Sequence, residues 1–211
     1  MKFCSKIGNF SQNSLGNEIS FEGSKLLIYK TSLIRKRSGY KKYKEMALVR
    51  FEGKHSKRVH EKACLWYIVE HEMGFNFKDL WYENGKPFLK KGYISVSHSE
   101  DWIAVYIAQN NPVGVDIEKK RPLAKDVAKR FLSDKELKLI LKGKLSPIHA
   151  WCAKESFFKR MVEQKSVFLR NIIIKGVDLN KECSFFNMEC GQEEGVVKCF
   201  EIEEYVVSFT I

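Results

Sequence analysis

The chain carries the stretch GVDIE at residues 114–118 and, further on, the stretch WCAKESFFK at residues 151–159. The first alternates apolar and acidic residues with the period of two that is typical of a β-strand, and the second is typical of a helix. Packing alone does not require acidic residues on both elements. These two stretches therefore predict where a functional site lies as well as part of the fold.

On the predicted strand, Asp116 and Glu118 face the same side, opposite to the apolar residues Val115 and Ile117. Two carboxylates on one face repel each other unless a cation or a basic group lies between them. Oxygen ligands without histidine or cysteine suit Mg²⁺ or Mn²⁺ better than zinc. The alternative for this pair alone is a polar strand face that is exposed to solvent.

On the predicted helix, Glu155 and Lys159 are four residues apart and share a face. Taken alone, they fit an ordinary surface ion pair. Beside the pair of carboxylates on the strand, they fit a site of phosphoryl transfer. There a third carboxylate completes a metal site or accepts a proton, and a lysine neutralises charge on a phosphate.

Positive charge is concentrated in one segment of the chain. The formal net charge is +11, and residues 25–62 hold 13 Lys and Arg against 3 Glu. Such a segment predicts an anionic partner, although a solvated basic face is the alternative. The segment lacks the interleaved aromatic and basic residues that stack bases, so we expect a phosphate-rich ligand or an acidic protein rather than nucleic acid.

Length and composition indicate one large domain or two small domains, with 211 residues and 44% hydrophobic content. No run of 18 apolar residues occurs, so we expect no membrane span. The N-terminus lacks the apolar stretch of a signal peptide, and the six cysteines form no CxxC pair. We therefore expect a cytoplasmic protein with reduced thiols.

Hydrophobic periodicity and turn residues predict helices mixed with short antiparallel strands in both halves. The first 24 residues give only weak signals, residues 83–87 and 99–101 are typical of turns, and residues 109–112 break the pattern. Ser133 and Glu136 have the spacing of a helix-capping box. Strands are predicted at 25–30, 93–98, 102–108, 113–118, 172–177 and 205–211, and helices near 41–44 and at 57–73, 124–131, 134–142 and 148–162.

Five motifs in this order resemble the 4′-phosphopantetheinyl transferases of the surfactin-synthetase-activating, Sfp-like type. They are GKP (85–87), SVSHS (95–99), GVDIE (114–118), RFLSDKE (130–136) and WCAKESFFK (151–159). The resemblance is dense from about residue 83 to 160 and thin on either side. It implies an α+β fold with a pseudo-twofold pair of lobes, residues 1–109 and 110–211, each with a small antiparallel sheet packed on a long helix.

The resemblance also implies a reaction. The phosphopantetheine arm of coenzyme A is transferred to a serine of an acidic apo acyl- or peptidyl-carrier protein, and 3′,5′-ADP is released. It further implies a monomer and a requirement for Mg²⁺, with Mn²⁺ as an alternative. A catalytically weak relative that binds coenzyme A or a carrier protein without efficient transfer is the alternative.

Carried over by position, the resemblance assigns roles to individual residues. Glu155 and Lys159 match catalytic positions, and Lys159 also contacts the coenzyme A phosphates. The implied metal ligands are Asp116, Glu118 and Glu155. The implied coenzyme-binding residues are Lys86, Ser97, His98, Lys159 and Arg58. Arg58 is the best match for the family's arginine, with Lys41, Lys42 and Lys44 as looser alternatives. The chain differs from the family at Glu100, which is usually Gly, and at residues 161–165, which are commonly Gly-rich.

Overall fold

The computed structural model describes residues 9–21, 23–53, 55–143, 145–161, 167–179 and 182–211. The chain divides into two compact units, Met1–Asn111 and Pro112–Ile211. Both mix helices with antiparallel sheets, as the sequence predicts. The five cysteines in the described ranges are buried thiols. Within those ranges, no helix has the length and apolar character needed to cross a membrane.

The first unit contains a five-stranded antiparallel sheet in the order β1-β2-β3-β7-β6 and a separate hairpin, β4-β5. Its strands are β1 (Asn9–Gln12), β2 (Gly16–Phe21), β3 (Ser24–Lys30), β4 (Leu80–Glu83), β5 (Lys86–Leu89), β6 (Tyr93–Ser99) and β7 (Trp102–Ala108). Its helices are α1 (Thr31–Ile34), α2 (Tyr40–Arg50) and α3 (Ser56–Tyr67). Helix α3 continues into a π-helical segment, Ile68–Glu72.

The second unit contains a five-stranded antiparallel sheet in the order β8-β12-β11-β10-β9. Its strands are β8 (Val115–Lys119), β9 (Ile173–Leu179), β10 (Cys183–Cys190), β11 (Glu193–Ile202) and β12 (Tyr205–Thr210). Its helices are α4 (Lys125–Phe131), α5 (Asp134–Leu141) and α6 (Pro147–Arg160). Helix α6 packs across β8, β12 and β11.

Two helix ends carry recognisable local signals. Gly74, with φ of 73°, follows the long helix of the first unit, where a left-handed residue can end a helix without strain. Ser133 caps α5: its hydroxyl accepts from the Glu136 backbone N–H, and the Glu136 carboxylate accepts from the Ser133 backbone N–H. The predicted capping box is therefore confirmed.

Three pairs of strands are not predicted by the sequence pattern. Strands β1 and β2 lie in the weakly patterned N-terminal segment, and every residue of β1 is exposed, so burial gives it no alternating pattern. The hairpins β4-β5 and β10-β11 turn at Asn84-Gly85 and at Gly191, where φ is positive. Helix α6 ends at Arg160; its predicted end at Val162 and most of the 161–165 segment lie outside the described residues.

Candidate functional site

The stretch GVDIE forms strand β8 and brings its carboxylates close to helix α6. Asp116 pairs across the sheet with Ser208 of β12. A Cβ atom on Gly114 would lie 1.8 Å from the backbone oxygen of Ser156 and 2.8 Å from the backbone nitrogen of Arg160. Both contacts are shorter than packed atoms allow. Glycine at 114 therefore permits the close approach of α6 that positions its side chains over the strand.

Asp116 is a buried carboxylate that is paired with the lysine of the helix. Its exposure is 3%, which rules out the solvent-exposed strand face that remained open from the sequence. The Lys159 ammonium group donates to Asp116 Oδ1 at 2.7 Å and to the Val115 carbonyl oxygen at 3.1 Å. The lysine thus compensates a buried charge on the strand.

Three carboxylates lie within electrostatic reach of one another. Burial and the neighbouring Asp116 raise the pKa of the Glu118 carboxyl, against a hydrogen bond from Trp151 and the charges of Arg121 and Lys159. Burial and Asp116 likewise raise the pKa of the Glu155 carboxyl, with a further contribution from Glu118. The net repulsion means that one lysine does not fully neutralise this carboxylate cluster, defined as Asp116, Glu118 and Glu155.

The donor chemistry of the carboxylate cluster fits a hard divalent cation, because all its ligand atoms are oxygens and their charges repel. The side chains as placed do not form a coordination shell. The Lys159 ammonium group donates to Asp116 Oδ1, and the Trp151 indole N–H donates to Glu118 Oε1 at 3.2 Å. Among the described residues, no group of three or more His, Cys, Asp or Glu side chains is arranged to hold a metal ion.

The two residues flanking Glu155 contact other elements and so fix the orientation of helix α6. The sequence pattern did not predict this role. Lys154 has no solvent exposure; its ammonium group donates to Glu136 and to the Phe131 carbonyl oxygen, each at 2.8 Å. The Ser156 hydroxyl lies 2.6 Å from the Ser208 hydroxyl of β12. The triplet Lys154-Glu155-Ser156 therefore directs one side chain to the site and uses the other two to orient α6.

The first unit contains a separate cavity of about 560 Å³. Helices α1 and α3 and the β6–β7 turn contribute its lining, which mixes basic, acidic and hydroxyl groups. The lining residues are Thr31, Ser32, Arg35, Ser56, Lys57, His60, Glu61, His98, Glu100, Asp101 and Ile103. Four of them are basic or imidazole side chains, which can donate to an anionic ligand, and three, Glu61, Glu100 and Asp101, are acidic.

Acidic residues orient parts of this cavity. Glu61 Oε2 lies 3.2 Å from His98 Nε2. Asp101 accepts hydrogen bonds from the Thr31 hydroxyl at 2.6 Å, from the Ser32 backbone N–H at 2.8 Å and from the Ser32 hydroxyl. Burial raises the pKa of Asp101, but these hydrogen bonds outweigh it, and the net pKa is lowered. Asp101 is thus a fixed anion that ties the β6–β7 turn to α1.

The structure places the predicted coenzyme-binding residues in different surroundings. His98 lines the cavity, whereas Ser97, Lys86 and Arg58 lie outside its lining. Ser97 is buried in β6; Lys86 begins β5, where burial lowers the pKa of its ammonium group; Arg58 is exposed on α3. Sequence reasoning missed Arg35, Lys57 and His60; the basic segment 25–62 contains all three but does not single them out.

Comparisons with known proteins find similar sequences, and the match to a family model lies in the second unit. Residues 112–209 match the family model of the 4′-phosphopantetheinyl transferase superfamily. The chain is 37% identical over 86 residues to 4′-phosphopantetheinyl transferase Sfp of Bacillus subtilis (strain 168), covering 37% of this chain and 38% of that protein. It is 34% identical over 84 residues to 4′-phosphopantetheinyl transferase psf-1 of Bacillus pumilus, covering 36% of each chain.

A third relative, 4′-phosphopantetheinyl transferase ffp of Bacillus subtilis, is 33% identical over 104 residues, covering 44% of this chain and 46% of that protein. The chain thus spans less than half the length of these curated relatives.

Proposed function

We propose that the chain is a 4′-phosphopantetheinyl transferase of the Sfp-like type, which transfers the phosphopantetheine arm of coenzyme A to a serine of an apo carrier protein. The second product is 3′,5′-ADP. One observation carries this proposal: Asp116, Glu118, Glu155 and Lys159 come together where β8 meets α6, within the segment that matches the family.

The carboxylate cluster is proposed to hold Mg²⁺, with Mn²⁺ as an alternative. The bound cation would reduce the negative charge on the pyrophosphate of coenzyme A. Glu155, or a water that it holds, is proposed to accept the proton of the carrier serine. The carrier serine then attacks the β-phosphorus, its proton passes to Glu155, and the bond to the 3′,5′-ADP oxygen breaks.

Lys159 is proposed to stabilise the negative charge that develops on the phosphate during transfer. Its contact with Asp116 places the ammonium group beside the carboxylate cluster. The side-chain exposure of Lys159 is 26%, so the ammonium group is partly accessible to a ligand.

The cavity of the first unit is proposed to hold the 3′-phosphate end of coenzyme A. His98 lines it together with Arg35 and Lys57, which supports the assignment of His98 from the sequence. Ser97, Lys86 and Arg58 are proposed to contact other parts of the coenzyme. The basic segment 25–62 would attract both coenzyme A and an acidic acyl- or peptidyl-carrier protein.

The pseudo-twofold pair of lobes is also part of this proposal. It is supported by the five-stranded antiparallel sheet and the long helix that each unit contains. A monomer that acts in the cytoplasm completes the proposal. Size-exclusion chromatography with light scattering tests the oligomeric state.

Intact-mass analysis of a panel of apo carrier proteins tests the transfer. Incubation with the chain, coenzyme A and Mg²⁺ should add the mass of one phosphopantetheine arm to at least one carrier. Glu155→Gln should slow transfer about 100-fold or more, because it removes both a cation ligand and the proton acceptor. The matched control is Glu189→Gln, which changes a carboxylate of a surface ion pair with Lys175 in the same unit. Equal rates in the two variants would exclude the proposed role of Glu155.

A chelator tests the metal assignment separately. Transfer should stop when divalent cations are removed and return when Mg²⁺ is added in excess. Transfer that continues in the chelator would rule out the metal site but not the transferase activity. Binding of coenzyme A without any mass gain on the panel would instead favour the catalytically weak relative.

A further inference from the structure

We infer that His60 is a further ligand-binding residue of the first-unit cavity, where its Nε2–H donates to an oxygen of the 3′-phosphate end of coenzyme A. The inference rests on the proposed function. It concerns a residue that none of the five sequence motifs contains. It follows from the contact that the protein core makes with one edge of the imidazole ring, which leaves the other edge to the cavity.

One edge of the His60 ring is committed to the protein core. The Tyr40 hydroxyl lies 2.6 Å from His60 Nδ1, and the two rings are nearly parallel, with centroids 6.3 Å apart and an interplanar angle of 11°. Tyr40 is only 5% exposed and belongs to the hydrophobic core of the first unit. The Nδ1 edge is therefore unavailable to a ligand, and the opposite edge of the ring carries Nε2.

The Tyr40 hydroxyl is the donor in this contact. Burial, with the neighbouring Cys64, raises the pKa of Tyr40 well above its ordinary value, so the hydroxyl stays protonated. The Cys64 thiol, whose pKa burial raises to about 12, also stays protonated and is a poor acceptor. A buried hydroxyl proton without an acceptor is costly, and His60 Nδ1 is the acceptor within reach. The tyrosine thus selects the tautomer with its proton on Nε2.

The ring is also neutral under ordinary conditions. Burial and the nearby cations Lys44 and Arg35 lower the pKa of His60. A neutral imidazole whose Nδ1 accepts a hydrogen bond must carry its single proton on Nε2. His60 therefore offers the cavity one oriented N–H donor and no acceptor.

The surroundings of His60 indicate which acceptor this donor fits. Arg35, Lys57 and His98 line the same cavity and offer donors to an anion, beside the carboxylates of Glu61, Glu100 and Asp101. A phosphate monoester has oxygens that can accept from several donors at once. Charge attracts the phosphate without fixing its orientation, whereas a fixed neutral donor beside the basic groups also orients it. The 3′-phosphate is the group of this kind at the adenosine end of coenzyme A.

The test uses substitutions that distinguish the two ring nitrogens. The side-chain amide nitrogen of Gln reaches about as far as histidine Nε2, and that of Asn about as far as Nδ1. Isothermal titration calorimetry of the full chain with adenosine 3′,5′-bisphosphate measures the dissociation constant. His60→Asn and His60→Ala should weaken binding about tenfold or more, whereas His60→Gln should stay within about threefold of wild type.

Two further measurements separate a ligand contact from a structural effect. Adenosine 5′-monophosphate lacks the 3′-phosphate, so its affinity should change little in His60→Asn if the lost contact is to that group. Tyr40→Phe keeps the ring but removes the hydroxyl, and it should weaken bisphosphate binding because the Nε2–H tautomer is no longer selected. Thermal unfolding of each variant confirms that the Gln and Asn variants, on which the decision depends, are folded.

The possible results distinguish failure of the inference from failure of the proposed function on which it rests. Bisphosphate binding that is equal in wild type and in His60→Asn overturns the inference and leaves the proposed transferase intact. Equal weakening in His60→Gln and His60→Asn also overturns it, because the position of the donor would not matter. A wild-type chain that binds no bisphosphate overturns both the inference and the proposed role of the cavity.

Discussion

The carboxylate cluster of the second unit and the cavity of the first unit are built in different ways. The cluster lies on one strand and one helix, β8 and α6, whose regular spacing fixes which side chains share a face. The cavity is assembled from α1, the start of α3 and the β6–β7 turn. A site on regular elements can be read from the periodicity of the sequence, whereas a site on helix ends and turns depends on contacts between distant residues.

The two sites also handle charge differently. In the cluster, Lys159 contacts one of three carboxylates that still repel one another. In the cavity, Asp101 is matched by hydroxyl and backbone donors and Glu61 by His98. The cluster is therefore suited to gain a cation, and the cavity to gain an anion.

The largest effect should come from the buried ion pair that orients α6. Lys154→Met leaves Glu136 buried without its cation, so we expect the free energy of unfolding to fall by about 3–5 kcal/mol. Chemical denaturation with two spectroscopic probes measures this. The control is Lys175→Met, which removes a lysine paired with Glu189 at 2.7 Å on the surface and should unfold much like wild type. Equal losses in the two variants would contradict a special role for the buried pair.

A clash at Gly114 should have the next largest effect. Gly114→Ala places a methyl group against the Ser156 carbonyl oxygen, so α6 must shift, at a cost of about 1–3 kcal/mol. Transfer should fall as well, because Glu155 and Lys159 move with the helix. Gly176→Ala is the matched control: it also lies in a strand of the second unit, and its nearest contact is a side-chain nitrogen at 3.3 Å. A Gly114→Ala variant with wild-type transfer would show that the close approach is unimportant.

These two variants concern residues whose roles the sequence predicted only in part. The strand, the helix and the capping box at Ser133 were evident from spacing, and the same spacing made the four charged residues candidates for a site. The buried role of Lys154 was not. Periodicity places Lys154 on a helix but cannot say that Glu136, on another helix, reaches it. Such a pairing depends on the packing of α5 against α6, which no local pattern encodes.

The cavity was harder to predict for the same reason. Its basic residues lie in a segment so rich in Lys and Arg that charge alone does not distinguish them. His60 is distinguished by its contact with Tyr40, which is twenty positions away in the chain. Only His98, which lies within a recognisable motif, could be assigned from the sequence.

The pH dependence of stability can sharpen the contrast between the two sites. The raised pKa values of Glu118 and Glu155 mean that, above the ordinary carboxyl pKa, the folded state binds more protons than the unfolded state. The contribution of these groups to the free energy of unfolding should therefore fall as pH rises through that window. Asp116→Asn removes a cause of both shifts and should flatten the dependence, as measured by denaturation in chelator at several pH values. An unchanged slope would mean that the three carboxylates do not interact.

The smallest effect should come from the turn that borders the cavity. Glu100 has a φ of 50°, where an L-residue is strained by about 1 kcal/mol, and its carboxylate lines a cavity suited to anions. Glu100→Gly should raise the free energy of unfolding by about 0.5–1 kcal/mol and tighten binding of adenosine 3′,5′-bisphosphate. Glu203→Gly is the matched control, because Glu203 has a φ of 52° in the β11–β12 turn of the second unit. It should relieve similar strain without changing nucleotide affinity. If both variants left affinity unchanged, the Glu100 carboxylate would have no influence on the ligand, and the difference in charge between the two sites would not extend to this turn.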